Sequence, residues 1–172
     1  MSFREALTES NRFVITLELV PGAEPHGASV DTIKTIAADA CRDGRVTAVS
    51  ITDNPGGNPS LSPDVLGREI LDLGIDVICH FTCRDLNRTG IESRALQLSR
   101  MGLSNILALT GDYSGEGFAG QGQPVFDLDS VTLISLLRSL NNRVVAQQPQ
   151  YEGFFVGCGV SPFKFTEAET AL

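Results

Sequence analysis

Two apolar segments of this sequence end in polar residues that could take part in catalysis. One runs into Cys79-His80-Phe81-Thr82-Cys83-Arg84-Asp85, and the other, Leu107-Ala108-Leu109, runs into Thr110-Gly111-Asp112. A histidine can exchange protons near neutral pH, and a carboxylate can stabilise a cation. Because α/β proteins place their chemistry at the carboxyl ends of parallel strands, these residues are the first candidates for a site.

A carboxylate inside an apolar segment is a third candidate. Glu18 lies between Leu17 and Leu19, where burial would favour the protonated carboxyl and make a proton donor available near neutral pH. An ion-paired carboxylate would have the same sequence pattern. His80 and Asp112 also have structural alternatives, namely a hydrogen-bonded histidine and a turn or helix cap formed by the Gly-Asp pair.

Strand-like and helix-like segments alternate along the chain and must position these side chains. The apolar spacing predicts strands at 13–20, 46–52, 75–81, 104–110 and 154–160, and helices at 29–42, 63–73, 88–101 and 128–140, with a further helix beginning near 166. Strands that are apolar almost throughout indicate a parallel sheet covered by helices. A glycine-rich loop at 111–125 follows the fourth strand, and its central part, 114–124, contains no Lys or Arg that would favour phosphate binding.

Two architectures fit this alternation, an open doubly wound sheet and a (β/α)8 barrel. The first strand-to-helix turn, 21–27, lacks the G-x-G-x-x-G pattern of dinucleotide-binding open sheets. A barrel usually needs about 250 residues and eight strands. We therefore predict a single partial domain over 1–172, an α/β (β/α)8 TIM barrel truncated after its fifth strand or completed by another chain.

Composition excludes several classes of protein. The net charge is -8, with 13 Lys and Arg residues and no basic cluster, so nucleic acid is not an expected partner. No apolar run approaches the length of a membrane span, and the amino terminus lacks the apolar centre of a signal peptide, so we expect a cytoplasmic protein that does not enter a membrane. The cysteines form no C-x-x-C pair, and we expect reduced thiols and no metal site: Cys41, Cys79, Cys83 and Cys158.

Several motifs occur together and in order along nearly the whole chain. They are the segment from Phe13 to Glu18 followed by Pro21, the strand end Ser50-Ile51-Thr52, the H-x-T-C-R-D motif at 80–85 and the L-T-G-D motif at 109–112. In this combination the chain resembles the methylenetetrahydrofolate reductase family, which are flavin-dependent (β/α)8 barrels.

The resemblance implies a reaction and a set of site residues. The family reduces 5,10-methylenetetrahydrofolate to 5-methyltetrahydrofolate, with hydride passing from a nicotinamide, NAD(P)H, to FAD and then to the folate. Glu18 matches the general acid that assists opening of the folate ring to an iminium. Asp112 matches a carboxylate beside both flavin and folate, where its charge favours that cation. Matches to FAD-contacting positions are Thr52, His80, Thr110, Gly111, Phe126, Asp127 and Ser161, with Asp53 a weaker match because the family has Tyr there.

A second interpretation is a non-catalytic half-barrel subunit or binding module that docks on a partner chain through an unpaired strand edge. Both interpretations predict an oligomer or a partner chain that completes the barrel. The presence of both Glu18 and Asp112 favours the enzyme, since a binding module need not keep them. The absence of a glycine fingerprint disfavours a third interpretation, an open-sheet nucleotide binder.

Overall fold

The fold is built around a parallel sheet of five strands. The structure is a computed structural model that describes residues 1–9, 11–117, 120–148 and 151–160. The strand order of the sheet is β1-β2-β3-β4-β7, and a separate two-stranded antiparallel hairpin consists of β5 and β6. The strands are β1 (Ile15–Leu19), β2 (Val46–Ile51), β3 (Asp76–Thr82), β4 (Asn105–Leu109), β5 (Glu116–Gly117), β6 (Gly120–Gln121) and β7 (Phe155–Cys158). The helices are α1 (Phe3–Thr8), α2 (Ala28–Asp43), α3 (Pro63–Leu71), α4 (Arg88–Met101) and α5 (Ser130–Gln147), with a 3₁₀ turn at Pro55–Gly57.

One face of the sheet carries the apolar core. Side chains alternate between the faces of a sheet, and Leu19, Ile51, Cys79 and Ile106 lie in register across four strands and are all buried. Buried residues of α2, α3, α4 and α5 belong to the same cluster. The strand order follows the chain order, without the reversal of a doubly wound sheet. The predicted α/β fold with a parallel sheet is confirmed, and its winding is consistent with a partial TIM-like barrel.

The opposite face is more polar, and a short helix covers its amino end. The Phe3 ring of α1 contacts the Phe155 ring edge to face at a centroid distance of 6.0 Å, and Phe3 N donates a hydrogen bond to the Asp76 carboxylate at the start of β3. Helix α1 is not among the predicted elements, although Ser2 and Glu5 form a capping box at its start. Because α1 lies at the amino end of the strands, it leaves their carboxyl ends free for a site.

Other differences from the predicted elements have local causes. Asp129 caps α5 by accepting a hydrogen bond from Thr132 N at 2.7 Å, so α5 begins two residues after the predicted start and then continues to Gln147. The predicted loop at 111–125 contains the β5–β6 hairpin. The helix expected near 166 lies outside the described residues. None of the described helices combines the length and apolar character needed to cross a membrane.

The loops that follow β2 and β4 are joined at Gly57. Gly115 N donates a hydrogen bond to Gly57 O at 2.7 Å, and Gly57 has a φ of +76°, a conformation that favours glycine. A Cβ at this position would overlap the Tyr113 carbonyl oxygen. The contact therefore requires glycine, and it brings two of the loops at the carboxyl edge of the sheet together.

Substitution of Gly57 is expected to destabilise the protein. Gly57→Ala places a Cβ against the Tyr113 backbone at a positive φ and should lower the free energy of unfolding by about 1–3 kcal/mol. Urea denaturation followed by circular dichroism measures the change. Gly122→Ala is the matched control, because no atom of the described residues, apart from its chain neighbours, lies within 4 Å of its Cβ position, and it should change stability by less than about 1 kcal/mol. Equal stabilities of the two variants would contradict the close approach at Gly57.

Candidate active site

A cavity of about 360 Å³ lies at the carboxyl ends of β2, β3 and β4. Its walls come from the residues that end these strands and from the loops that follow them. The structure therefore brings together six of the residues that the sequence predicted for a site: Thr52, Asp53, His80, Thr110, Gly111 and Asp112.

A second cavity, of about 470 Å³, shares Thr110 and Gly111 with the first. It includes two further predicted residues, Phe126 and Asp127. The Phe126 ring contacts the Tyr113 ring edge to face at a centroid distance of 6.0 Å, and Asp127 Oδ2 accepts a hydrogen bond from the amide at the start of α4 at 2.7 Å. The predicted residues that line the two cavities therefore form a continuous row along the carboxyl edge of the sheet.

Glu18 lies beside this row and not in the walls of either cavity. Its Oε2 is 3.9 Å from His80 Nε2, and 57% of its side chain is exposed. The prediction that Glu18 is buried is therefore wrong. The physical reason is that β1 is an edge strand of the sheet, and Glu18 shares its face with Ser50 and Ile78, opposite the face that the long helices cover.

His80 is buried at the end of β3. Burial lowers the pKa of its imidazole, while the negative charges of Glu18 and Asp53 oppose that shift without reversing it. The imidazole is therefore mainly neutral near pH 7, and its properties are those of a hydrogen-bonding group rather than of a cation.

The Thr52 hydroxyl is a buried polar group at the wall of the first cavity. Thr52 N donates to Leu19 O at 3.1 Å, but the buried Oγ1 has no hydrogen-bond partner among the described residues. An unpaired buried hydroxyl is unfavourable by about 1–3 kcal/mol. A polar ligand that reached this atom would supply the missing partner, so Thr52 Oγ1 marks a place where the cavity is suited to binding.

A buried ion-pair cluster supports the first cavity from below. Arg94 Nη1 donates to Asp53 Oδ2 and Arg94 Nη2 donates to Asp64 Oδ1, both at 2.7 Å. Asp53 Oδ2 also accepts from Thr82 N and Thr82 Oγ1, both at 3.0 Å. Burial opposes the charge on Arg94, but the hydrogen bond to Asp64 and the two carboxylate charges outweigh it and raise the pKa of Arg94. The cluster joins the end of β2 to β3, α3 and α4.

Arg84 joins the loops above that cluster, and its side chain is almost completely buried. It donates hydrogen bonds to the backbone carbonyl oxygens of Asn54, at 3.2 Å, and Asp112, at 3.3 Å. It also pairs with both oxygens of the Asp85 carboxylate, at 2.9 and 2.7 Å. One guanidinium thus contacts the loops that follow β2, β3 and β4.

Arg84 and Arg94 are not among the predicted site residues. A signal for Arg94 exists, because Ile91, Ala95 and Leu98 are the buried positions of α4 and Arg94 shares their helical spacing. A cation among the apolar positions of a helix needs a buried anion. Arg84 follows a strand as an ordinary loop residue would, and no pattern in the sequence shows that it is buried. The remaining predicted residue, Ser161, lies outside the described residues.

Comparison with known families gives one match. The family model described as Methylenetetrahydrofolate reductase matches residues 3–157 of the 172. The matched range includes the five strands of the sheet, apart from the last residue of β7, and the residues of both cavities. A search of curated proteins gives no match.

Loss of the Arg94 cation should destabilise the fold strongly. Arg94→Met would leave Asp53 and Asp64 buried without their counter-ion, and a buried pair broken in this way lowers stability by about 3–5 kcal/mol. The control is Arg143→Met, which removes an exposed pair with Glu92 and should change stability by at most about 1 kcal/mol. Chemical denaturation of the two variants measures both changes, and a loss at Arg94 no larger than that at Arg143 would contradict the supporting role.

Proposed function

The chain belongs to the methylenetetrahydrofolate reductase family, and on that premise we propose that it reduces 5,10-methylenetetrahydrofolate to 5-methyltetrahydrofolate, with NADH or NADPH as donor and FAD as cofactor. The observation that carries the proposal is the convergence of six predicted site residues on one cavity, with Glu18 next to its His80 wall. Family membership supports an oxidoreductase. The flavin, the nicotinamide and the residue roles are our proposal.

The residues of the two cavities suit a flavin. The unpaired Thr52 hydroxyl offers a hydrogen bond, and the neutral His80 offers a second polar group. Thr110 and Gly111 stand where the cavities meet, and the Phe126 ring provides a flat apolar surface in the second cavity. Bound there, FAD would supply the hydride chemistry. Asp53 and Asp127 each use Oδ2 in an internal hydrogen bond, so we assign them to holding the cavity walls as well as to the cofactor.

Glu18 is our candidate for the proton donor. Since the pKa of His80 is lowered, the imidazole is a poor source of a proton near pH 7, and Glu18 is the nearest other acid to it that the structure shows. A folate bound against the Glu18 face would bring its ring nitrogens to the carboxyl and exclude water from it. Glu18 would donate a proton to the folate nitrogen that leaves the methylene carbon as the five-membered ring opens.

Asp112 is our candidate for stabilising the resulting cation. Ring opening leaves positive charge on the iminium, and a carboxylate at the cavity wall lowers the free energy of that charge. The reaction balances with one hydride from the nicotinamide, delivered to the methylene carbon, and one proton at the nitrogen. Glu18 and Asp112 thus have opposite tasks, one as an acid and the other as a fixed negative charge.

The alternative, a binding module that docks on a partner chain, rests on the edge strand. Within the described residues β1 pairs only with β2, and Phe13, Ile15 and Val20 along this edge are exposed. An unpaired edge of this kind can recruit another strand. A module would bind its partner without binding FAD or reducing folate, so the assays below distinguish the two functions.

We expect the purified protein to bind FAD. Its spectrum should show the flavin band at about 450 nm, either as isolated or after addition of FAD, because the cofactor carries the hydride chemistry. Thr52→Val should weaken FAD binding by about 5- to 10-fold, the effect of one lost hydrogen bond. Thr35→Val is the control, since this hydroxyl bonds within α2. Absence of the band with excess FAD would contradict the proposal.

Removal of the Glu18 acid should affect one half-reaction only. Glu18→Gln should slow folate reduction by about 10²- to 10⁴-fold, as for a lost general acid, and leave flavin reduction by the nicotinamide nearly unchanged. Stopped-flow absorbance measures the two half-reactions separately. Glu69→Gln, which removes an exposed carboxylate paired with Lys34, serves as the control. Equal slowing of both half-reactions would show that Glu18 has a structural role.

A further inference from the structure

The Gly111–Asp112 corner rests directly on the Arg84 side chain. Gly111 has a φ of +97°, and a Cβ there would lie 3.2 Å from Arg84 Cβ and 3.5 Å from Arg84 Nη1. The same Nη1 donates to the carbonyl oxygen of Asp112. The backbone that carries the Asp112 carboxylate is therefore packed against Arg84 and hydrogen-bonded to it.

Arg84 is itself held on several sides. Its guanidinium pairs with both oxygens of Asp85, and Asn54 Nδ2 donates to Asp85 Oδ2 at 2.9 Å. Arg84 O accepts from Val125 N at 2.7 Å, in the segment that leads to Phe126. Because Asp85 neutralises the guanidinium, Arg84 acts on the cavity through hydrogen bonds and shape and not as a free positive charge.

We propose that Arg84 is a positioning residue for Asp112, one that fixes the Gly111–Asp112 corner and thereby the carboxylate that faces the substrate cation. This inference rests on the proposed function. The Asp112 side chain is exposed, so its location depends on its backbone rather than on packing of its own. Displacement of a reacting group by about 1 Å can slow a reaction by about 10²-fold. Loss of the contacts that hold the Gly111–Asp112 corner should therefore slow folate reduction.

Lysine cannot replace Arg84 in this role. The planar guanidinium reaches two backbone carbonyls and one carboxylate at the same time, in directions set by its fork, whereas an ammonium is a single point of charge on a flexible stem. Arg84→Lys keeps the charge that pairs with Asp85 and gives up this fixed geometry. The substitution therefore tests the effect of displacing Asp112 without changing the net charge of the loops.

The test is a double-mutant cycle with Arg84→Lys and Asp112→Asn, read by stopped flow. Arg84→Lys should slow folate reduction by about 10- to 100-fold. Because Arg84 and Gly111 both line the first cavity, flavin reduction and FAD affinity should also change, but by a clearly smaller factor than folate reduction. In the Asp112→Asn background the same substitution should add less than about threefold, because residues that act through one group are not additive.

Arg68→Lys is the matched control. Arg68 also donates to a backbone carbonyl, that of Met101 at 2.7 Å, and to a carboxylate, Asp72, but it lies outside both cavities. It should leave both half-reactions unchanged. Asp85→Asn is a second variant in case Arg84→Lys does not fold, and it should produce a smaller loss confined to folate reduction.

The outcomes separate this inference from the proposed function. A starting protein that binds no FAD and reduces no folate overturns the proposed function and this role with it. A reactive protein in which Arg84→Lys and Asp85→Asn match Arg68→Lys overturns the positioning role alone. The role is also overturned if both half-reactions fall in parallel with FAD affinity, or if the full loss persists in the Asp112→Asn background.

Discussion

The carboxyl edge of the sheet depends on one buried interaction, the pairing of the Arg94 guanidinium with the carboxylates of Asp53 and Asp64. Asp53 lies two residues after the end of β2, Asp64 lies in the first turn of α3, and Arg94 comes from α4. Charges buried to this extent are tolerated only as a set with their hydrogen bonds made. The ion pairs therefore fix the positions of β2, α3 and α4 relative to one another. The positions of the cavity walls above them depend on this arrangement.

Arg84 extends this arrangement from the strands to the loops. Its hydrogen bonds to the Asn54 and Asp112 carbonyl oxygens connect the loops that follow β2 and β4. Asn54 has a φ of +46°, a conformation that costs a non-glycine residue free energy and needs support from its surroundings. The cavity is thus built on two buried cations, one below the strand ends and one between the loops, and each is neutralised by aspartate.

The two faces of the sheet have different roles: one stabilises the fold, and the other carries candidate catalytic residues. One face is packed by four helices around a continuous apolar cluster, and burial of that surface is the main source of folding free energy. The other face holds Glu18 and His80, with α1 at its amino end. Polar residues on this second face do not interrupt the core, so catalytic groups can be placed there with little effect on the packing that maintains the fold.

The sequence by itself determined the alternation of strands and helices, the parallel sheet and the family, because apolar periodicity and the H-x-T-C-R-D and L-T-G-D motifs are local properties of the chain. It also indicated that His80 and Asp112 end neighbouring strands, since parallel strands end at the same edge. Only the tertiary structure decided what surrounds each side chain. Glu18 is exposed because β1 lies at an edge of the sheet, and Arg84 is buried because loops distant in sequence close over it. Burial and ion pairing arise from contacts between distant segments. The helical spacing of Arg94 indicates a buried cation, but no local pattern specifies that its partners are Asp53 and Asp64.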